Sequence, residues 1–150
     1  MKQLDKPIDN LGGLLKMWAV PTSDFSINGE LVSFARMDDI YLIYCSPDSL
    51  SFKEPSIRTE AGLHYDCNVS GFIPKDTEEV RVALAELEYR PYVVILQDGN
   101  GFYKLCGTAF YPLRLAASLK TGKQTSDRAG YEIQFSGKTI SRAVFINNPF

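Results

Sequence analysis

Histidine is almost missing from these 150 residues, with His64 the single example. Imidazole is the commonest side chain in acid–base catalysis and in metal ligation, so either chemistry would depend on His64 here. In a strand, His64 and Asp66 share one face while Cys67 takes the other. A solvated surface histidine is the simpler interpretation. We therefore predict a protein that is not an enzyme, with no catalytic residue, no metal and no cofactor.

The sequence also lacks the short motifs that carry known chemistry. It has no Cys-x-x-Cys pair for zinc, no Gly-x-Ser-x-Gly nucleophile turn and no Gly-rich phosphate loop. The two carboxylate pairs have simpler explanations, because Asp38-Asp39 fits a solvated turn and Glu78-Glu79 fits the first turn of a helix. Neither pair predicts the two opposed acids of a glycosidase.

Excess charge and long apolar runs are absent as well. The net charge of −2 offers no basic face for phosphates, so no nucleic-acid partner is predicted. No run approaches the roughly 20 apolar residues of a membrane span, so no membrane partner is predicted either. The first residues lack a signal-peptide core, which favours synthesis in a cytoplasm. Three widely spaced cysteines, Cys45, Cys67 and Cys106, predict buried free thiols in a reducing compartment.

One helix stands out from what is present, and the pattern predicts it over about residues 77–89. Asp76 or Thr77 can cap its start, and Pro91 ends it. Apolar residues fall at i, i+3, i+4 and i+7 and make one stripe, formed by Val80, Ala83, Leu84 and Leu87. A run with no polar residue follows at once, Tyr92–Leu96, which predicts a strand covered on both faces.

Strand patterns occupy most of the remaining chain. Asn28-Gly29 between two β-prone runs predicts a hairpin. From Leu63 to Ile73 the odd positions are apolar, which predicts one buried and one wet face; they are Leu63, Tyr65, Cys67, Val69 and Ile73. Gly62 and Gly71 permit a bend or bulge. Further strands are predicted at Leu14–Val20, Ile40–Cys45, Leu50–Phe52, Phe102–Cys106, Leu113–Lys120, Tyr131–Phe135 and, after a turn at Ser136-Gly137-Lys138, Ile140–Ile146.

The segment between two of these strands is polar for about ten residues, TGKQTSDRAG, and predicts a long mobile loop over residues 120–130. Loops of this length inside a small domain are commonly functional or disordered. We take it as the candidate assembly site, with the residues Thr121, Gly122, Lys123, Gln124, Thr125, Ser126, Asp127 and Arg128. Residues 1–13 are interpreted as an extended arm or, alternatively, as a frayed entry segment.

The elements sum to one β-rich domain over residues 1–150. The predicted fold is mainly β, an antiparallel β-sandwich or barrel of about eight or nine strands with one packed α-helix. No repeat or linker divides the chain.

Several stretches resemble phage-encoded structural proteins of unassigned function found in prophages of Bacteroidetes. They are LDKPIDNLGGLLKMWAVP, CSPDSLSFKEP, VSGFIPKDTEEV and GTAFYPLRLAASLKTGKQTSDRAGYEIQFSGKT. The order of elements is also similar to the tail-tube family, a β-sandwich with one flanking helix and a long hairpin loop. The resemblance implies subunits that form rings through sheet edges. It also implies that residues 120–130, and residues 1–13 as an arm, contact the next ring.

Three functional hypotheses follow. The first is a non-enzymatic phage or prophage structural protein, a tail subunit that self-assembles and contacts other virion proteins, made in the bacterial host cytoplasm and carried into the virion. The second is a small β-sandwich module that binds a carbohydrate or protein through an aromatic patch drawn from Tyr41, Tyr44, Tyr65 and Tyr103. The third is an enzyme that uses His64, which a His64→Ala variant would test.

Overall fold

The chain is described by a computed structural model over residues 13–124 and 128–150. Most of residues 1–13, the predicted arm, therefore lie outside the described residues. The described residues form twelve strands, one α-helix and a short 3-10 helix at Thr22–Asp24. The strands are β1 (Leu14–Pro21), β2 (Phe25–Asn28), β3 (Leu31–Phe34), β4 (Tyr41–Ile43), β5 (Ser51–Lys53), β6 (Ser56–Thr59), β7 (Gly62–Ile73), β8 (Tyr92–Asp98), β9 (Tyr103–Cys106), β10 (Arg114–Lys120), β11 (Gly130–Thr139) and β12 (Val144–Ile146), and the helix is α1 (Glu78–Tyr89).

Two antiparallel sheets face each other, which confirms the predicted sandwich and excludes a closed barrel. The first sheet has the order β12-β9-β8-β1-β4. The second has the order β10-β11-β7-β5. The short strand β6 also pairs with β7, at the first residues of β7, whereas β5 pairs with later ones. The β2–β3 hairpin forms a separate pair and turns at Gly29, whose φ of 65° suits the predicted Asn-Gly turn.

The β8 strand shows why the first sheet lies at the centre. All residues from Tyr92 to Leu96 are buried, as the unbroken apolar run predicts. Tyr92, Val94 and Leu96 point into an inner core between the two sheets. Val93 and Ile95 point the other way, into an outer core with Trp18 and Val20, which the β2–β3 hairpin covers. The sheet is therefore covered on both faces.

The helix closes one side of the inner core. Leu84 and Leu87 of the predicted stripe are buried, and Val80 packs against the same core. Thr77 provides the cap, since its Oγ1 accepts from the Val80 N–H at 3.4 Å. Asp76, the other predicted cap, instead accepts a hydrogen bond from the Tyr131 hydroxyl at 3.1 Å.

Two details of the predicted strands are wrong. The chain does not turn at Ser136-Gly137-Lys138, because β11 continues in unbroken register with β7 as far as Thr139. Gly137 is needed there because a side chain would not fit, and not because the chain turns. A Cβ at this position would lie 2.6 Å from the Pro112 carbonyl oxygen. The last strand is consequently shorter, Val144–Ile146.

The alternation in β7 is confirmed only from Cys67 onward. Leu63, expected inside, is exposed, because the first half of this twelve-residue strand extends beyond the inner core. Gly71 produces no bulge, since pairing with β11 is continuous through it. A Cβ at Gly71 would approach the Cys45 Sγ to 2.6 Å, so the residue is small because the segment between β4 and β5 packs closely against β7 there.

Candidate assembly surfaces

The predicted loop lies at one end of the sandwich, between β10 and β11. Lys120 pairs with Gly130, so the two strands form the expected long-looped hairpin. Among the predicted residues, Thr121, Gly122, Lys123, Gln124 and Arg128 are all exposed. Thr125, Ser126 and Asp127 lie outside the described residues.

Polar and aromatic contacts hold the base of this loop. The Lys120 ammonium lies 2.8 Å from the Glu132 carboxylate across the hairpin. The Arg128 guanidinium lies over the Phe72 ring, 5.9 Å from its centroid. The loop thus leaves a fixed base, and its exposed residues are polar.

Strand register places other turns at the same end as the loop. Tyr131 pairs with Ile73, the last residue of β7, and the Ser46 N–H donates to the Phe72 carbonyl at 2.8 Å. The opposite end carries the turn between β9 and β10, because Leu113 pairs with Tyr92 at the start of β8. The sandwich therefore has two different ends, called here the loop end and the Tyr92 end.

The first sheet ends in β4 on one side and in β12 on the other within the described residues, and the β12 edge is partly closed. The Ala143 N–H just before β12 donates to the Glu54 carboxylate at 2.6 Å, and the Asn147 N–H just after it donates to the Glu30 carbonyl at 3.0 Å.

The outermost strands, β4 and β12, each pair with a single neighbour. Both edges expose large apolar side chains: Leu42 (60%) and Tyr44 (67%) in and beside β4, and Val144 and Phe145 in β12. Phe145 also meets Phe102 edge-on, with ring centroids 6.1 Å apart. Isolated exposed apolar residues are ordinary, but their grouping along outermost strands makes these edges candidate contact surfaces.

A groove runs beside the β4 edge, where α1 approaches it. Its volume is about 500 Å³. The lining is almost wholly apolar and comes from Tyr41, Leu42, Ile43, Tyr44, Ile73, Pro74, Lys75, Val80, Ala83, Leu84 and Leu87. We call this feature the β4–α1 groove. Sequence reasoning missed it, because its walls come from three separate segments of the chain.

One hydrogen bond fixes the width of the groove at the Tyr92 end. The Tyr41 hydroxyl donates to the Glu86 carboxylate at 2.6 Å and so joins β4 to α1. This bond, together with burial, raises the pKa of Tyr41 to about 12. A carboxylate acceptor makes the bond stronger than one between neutral groups.

We expect Tyr41→Phe to lower the free energy of unfolding by about 1 kcal/mol at pH 7, since it removes a hydrogen bond to a charged group. The unfolded tyrosine ionises near its ordinary value of 10.0 and the folded one near 12. The stability contributed by this hydrogen bond is therefore fully present below pH 10. It declines as the pH rises toward 12, because in that range the Tyr41 hydroxyl ionises more readily in the unfolded chain than in the folded one. Urea denaturation at pH 8 and at pH 11 would measure the free energy of unfolding at each pH. The difference between the two values should be smaller for the variant than for the original chain.

Tyr44→Phe is the matched control for this prediction, since its ring is 67% exposed at the rim of the same groove. It should leave both the stability at pH 7 and the alkaline decline unchanged. An equal loss from Tyr44→Phe would show that the Tyr41–Glu86 bond is not the cause.

His64 does not lie in a cluster of side chains that would form a catalytic or metal site. Its Nε2 lies 4.0 Å from the Asp66 carboxylate on the same face of β7, while Cys67 points into the inner core, as the strand pattern predicts. Among the described residues, no group of three or more His, Cys, Asp or Glu side chains converges as a metal site would require.

The three cysteines are free and buried, as predicted. Burial raises the pKa of the Cys45 thiol to about 11. A hydrogen bond with Cys67 raises the pKa of Cys106 well above its ordinary range, and burial adds to this shift. Thiols with raised pKa values stay protonated at neutral pH and are poor nucleophiles.

The four tyrosines of the binding-module hypothesis lie in three separate places. Tyr41 and Tyr44 line the β4–α1 groove. Tyr65 lies under the Arg142 guanidinium at 4.7 Å, and Tyr103 lies 6.0 Å from Trp18 beside the outer core. They do not combine into one aromatic patch.

Comparison with known proteins gives no match, whether to protein-family models, to curated proteins or to solved structures. No helix among the described residues is long and apolar enough to cross a membrane.

Proposed function

We propose that this chain is a structural subunit that assembles with copies of itself through the edges of its first sheet and through the loop 120–130. The observation that carries the proposal is the exposure of large apolar side chains along both outermost strands of this sheet, the unpaired edge β4 and the partly closed edge β12. The sequence resemblance favours a phage or prophage virion, and within it the tail, as the assembly. Other virion proteins would be the further partners, and synthesis would occur in the bacterial host cytoplasm.

Edge strands supply the chemistry for such contacts. An unpaired strand presents backbone N–H and C=O groups that can pair with another chain. Monomeric proteins protect such edges with lysine, proline or a covering loop. At the β4 edge, Leu42 instead exposes apolar area, whose burial contributes roughly 25 cal/mol per Å². At β12, Glu54 and Glu30 already accept the flanking N–H groups, so a contact there depends on the exposed ring of Phe145.

Strand direction is compatible with a head-to-tail contact between the two edges. All neighbours in the first sheet are antiparallel, so β12 and β4, four steps apart, run in the same direction. A ring whose axis follows the strands would pair β12 of one copy with β4 of the next in parallel. A two-fold dimer would instead pair like strands antiparallel.

Replacing residues 121–129 by the dipeptide Asn-Gly is expected to keep the fold and abolish higher assembly. Lys120 and Gly130 are directly opposed, so a two-residue turn can close the hairpin. The free energy of unfolding should change by less than about 1 kcal/mol, because the removed residues that are described are exposed. Light scattering and electron microscopy would measure assembly, and urea denaturation would measure stability.

The control keeps nine residues between Lys120 and Gly130 in scrambled order. If side-chain contacts of the loop drive assembly, the scrambled variant should fail as the shortened one does. Unfolding of the shortened variant would place the loop in the core and contradict the proposal. Unchanged assembly of both variants would contradict the role of the loop.

A binding module remains the second candidate, and the β4–α1 groove favours it. An apolar groove of about 500 Å³ with two tyrosines falls within the size range of ligand sites. This alternative predicts a monomer at high protein concentration, whereas self-assembly predicts scattering that rises with concentration.

A further inference from the structure

The most exposed large apolar side chain among the described residues is Phe110, at 91%. It lies in the turn between β9 and β10, at the Tyr92 end. Two hydrogen bonds close this turn: the Thr108 N–H donates to the Tyr111 carbonyl at 3.0 Å, and the Tyr111 N–H donates to the Thr108 hydroxyl at 3.0 Å. Phe110 is therefore presented on a turn with fixed hydrogen bonds.

The chemistry of this turn suits an apolar receptor. Residues 107–112, GTAFYP, carry no charged side chain. Leaving a phenylalanine ring in water forgoes the largest favourable term in association. At 91% exposure, Phe110 does not occupy the β4–α1 groove of its own chain.

We propose that Phe110 of one copy inserts into the β4–α1 groove of a neighbouring copy. This contact rests on the proposed self-assembly and names where it occurs. The occupant is a second copy of this chain, held by an apolar ring in an apolar groove.

Position along the sheet supports this choice of occupant. The turn leaves from β9, which is the strand beside the outermost strand β12. If β12 pairs with β4 of the next copy, β9 lies about 10 Å from that β4, two strand spacings away. The strand register shows how high along the strands the turn begins. One row of paired residues runs straight across the sheet from β4 to the end of β9: Tyr41, Ala19, Val94 and Cys106. The Phe110 turn therefore begins level with the Tyr41 end of the groove.

Volume and area are consistent with the fit. An apolar cavity of about 150 Å³ holds one benzene ring, so a groove of about 500 Å³ has room for the Phe110 ring and part of its turn. A buried phenylalanine contributes about 150–250 Å², roughly a quarter of the 800 Å² per partner in a standard interface. Leu42 and Tyr44, exposed at the rim, add to this area, as would paired edges.

The Phe110 turn and the β4–α1 groove are different surfaces of the same chain. The contact between them is therefore head-to-tail and repeats from copy to copy. This property allows a complementation test with the full-length chain. Phe110→Ser removes the inserting ring and keeps the groove. Ala83→Trp fills the groove and keeps the ring. Tyr44→Glu, which places a charge on the groove rim, is a second groove variant in case the larger side chain disturbs folding.

We expect each variant alone to raise the dissociation constant for association about thirtyfold or more, the effect of losing a central interface residue. Mixed in equal amounts, Phe110→Ser and a groove variant should form a complex of two chains that grows no further, because only one productive contact remains. Analytical ultracentrifugation would measure both. Leu63→Ser, which removes an exposed leucine from β7 of the second sheet, should associate as the original chain does.

The outcomes separate this inference from the function on which it rests. If the original chain assembles and Phe110→Ser assembles equally well, the inference is wrong and self-assembly stands. If both variants weaken assembly but their mixture forms no two-chain complex, Phe110 and the groove do not contact each other and the inference is wrong. A chain that stays monomeric at high concentration contradicts self-assembly itself.

Discussion

Phe135→Ala is expected to lower the free energy of unfolding by about 3–5 kcal/mol, a large part of the 5–15 kcal/mol typical of a domain. Phe135 is fully buried on the central strand β11 of the second sheet. Its ring meets Tyr92 of the first sheet edge-on, with centroids 6.3 Å apart. Truncation removes buried area and leaves a cavity between the sheets. Urea denaturation followed by circular dichroism would give the value.

Phe110→Ala is the matched control, since it makes the same chemical change at a side chain that is 91% exposed. It should alter the unfolding free energy by no more than about 0.5 kcal/mol at a concentration where the protein is monomeric. A cost below about 1 kcal/mol for Phe135→Ala would mean that the two sheets do not share the inner core described here.

Gly130→Ala is the second large effect, with an expected loss of about 3 kcal/mol, at the upper end of overpacking costs. A Cβ at this position would lie 2.1 Å from the Ile73 carbonyl oxygen and 2.8 Å from the Phe72 ring. The carbonyl is backbone and cannot move without opening the pairing of β11 with β7. Chemical denaturation would measure the loss.

The Phe72→Ala background tests which neighbour causes the effect. Removing the Phe72 ring relieves the 2.8 Å approach and leaves the 2.1 Å approach to the carbonyl. Gly130→Ala should therefore cost nearly as much in this background as in the original chain. Full recovery there would assign the clash to the side chain and contradict the backbone explanation.

Local rules account for the elements that sequence predicted well. Thr77 and Pro91 bracket a stripe of period 3.6, so α1 could be placed almost to the residue. The run Tyr92–Leu96 has no charged side chain, and both of its faces are buried. Asn28-Gly29 fixes its hairpin through a backbone conformation that few other residues adopt.

Contacts between distant segments account for the errors. Gly137 reads as a turn residue locally, but the Pro112 carbonyl requires a residue without a Cβ inside a continuous strand. Leu63 fits the apolar face of β7, yet nothing in its own segment shows where the inner core stops. The predicted eight or nine strands became twelve partly because β6 is a short strand that pairs with the first half of β7 and was not predicted.

The candidate surfaces divide in the same way. The loop 120–130 could be found because a polar tract between two alternating strands is a local signal. The β4–α1 groove could not, because Tyr44, Pro74 and Ala83 are brought together only by the fold. Phe110 stands in the sequence among ordinary apolar residues, and only its exposure on a closed turn marks it as unusual.

The two unlike ends of the sandwich have a consequence for growth. If rings of such subunits stack along the strand direction, the stack is polar, with the long hairpin loops at one terminus and the β9–β10 turns at the other. Addition rates at the two termini would then differ, and a terminator protein shaped for one would not recognise the other. Length control would need only a single capping factor at the faster-growing tip.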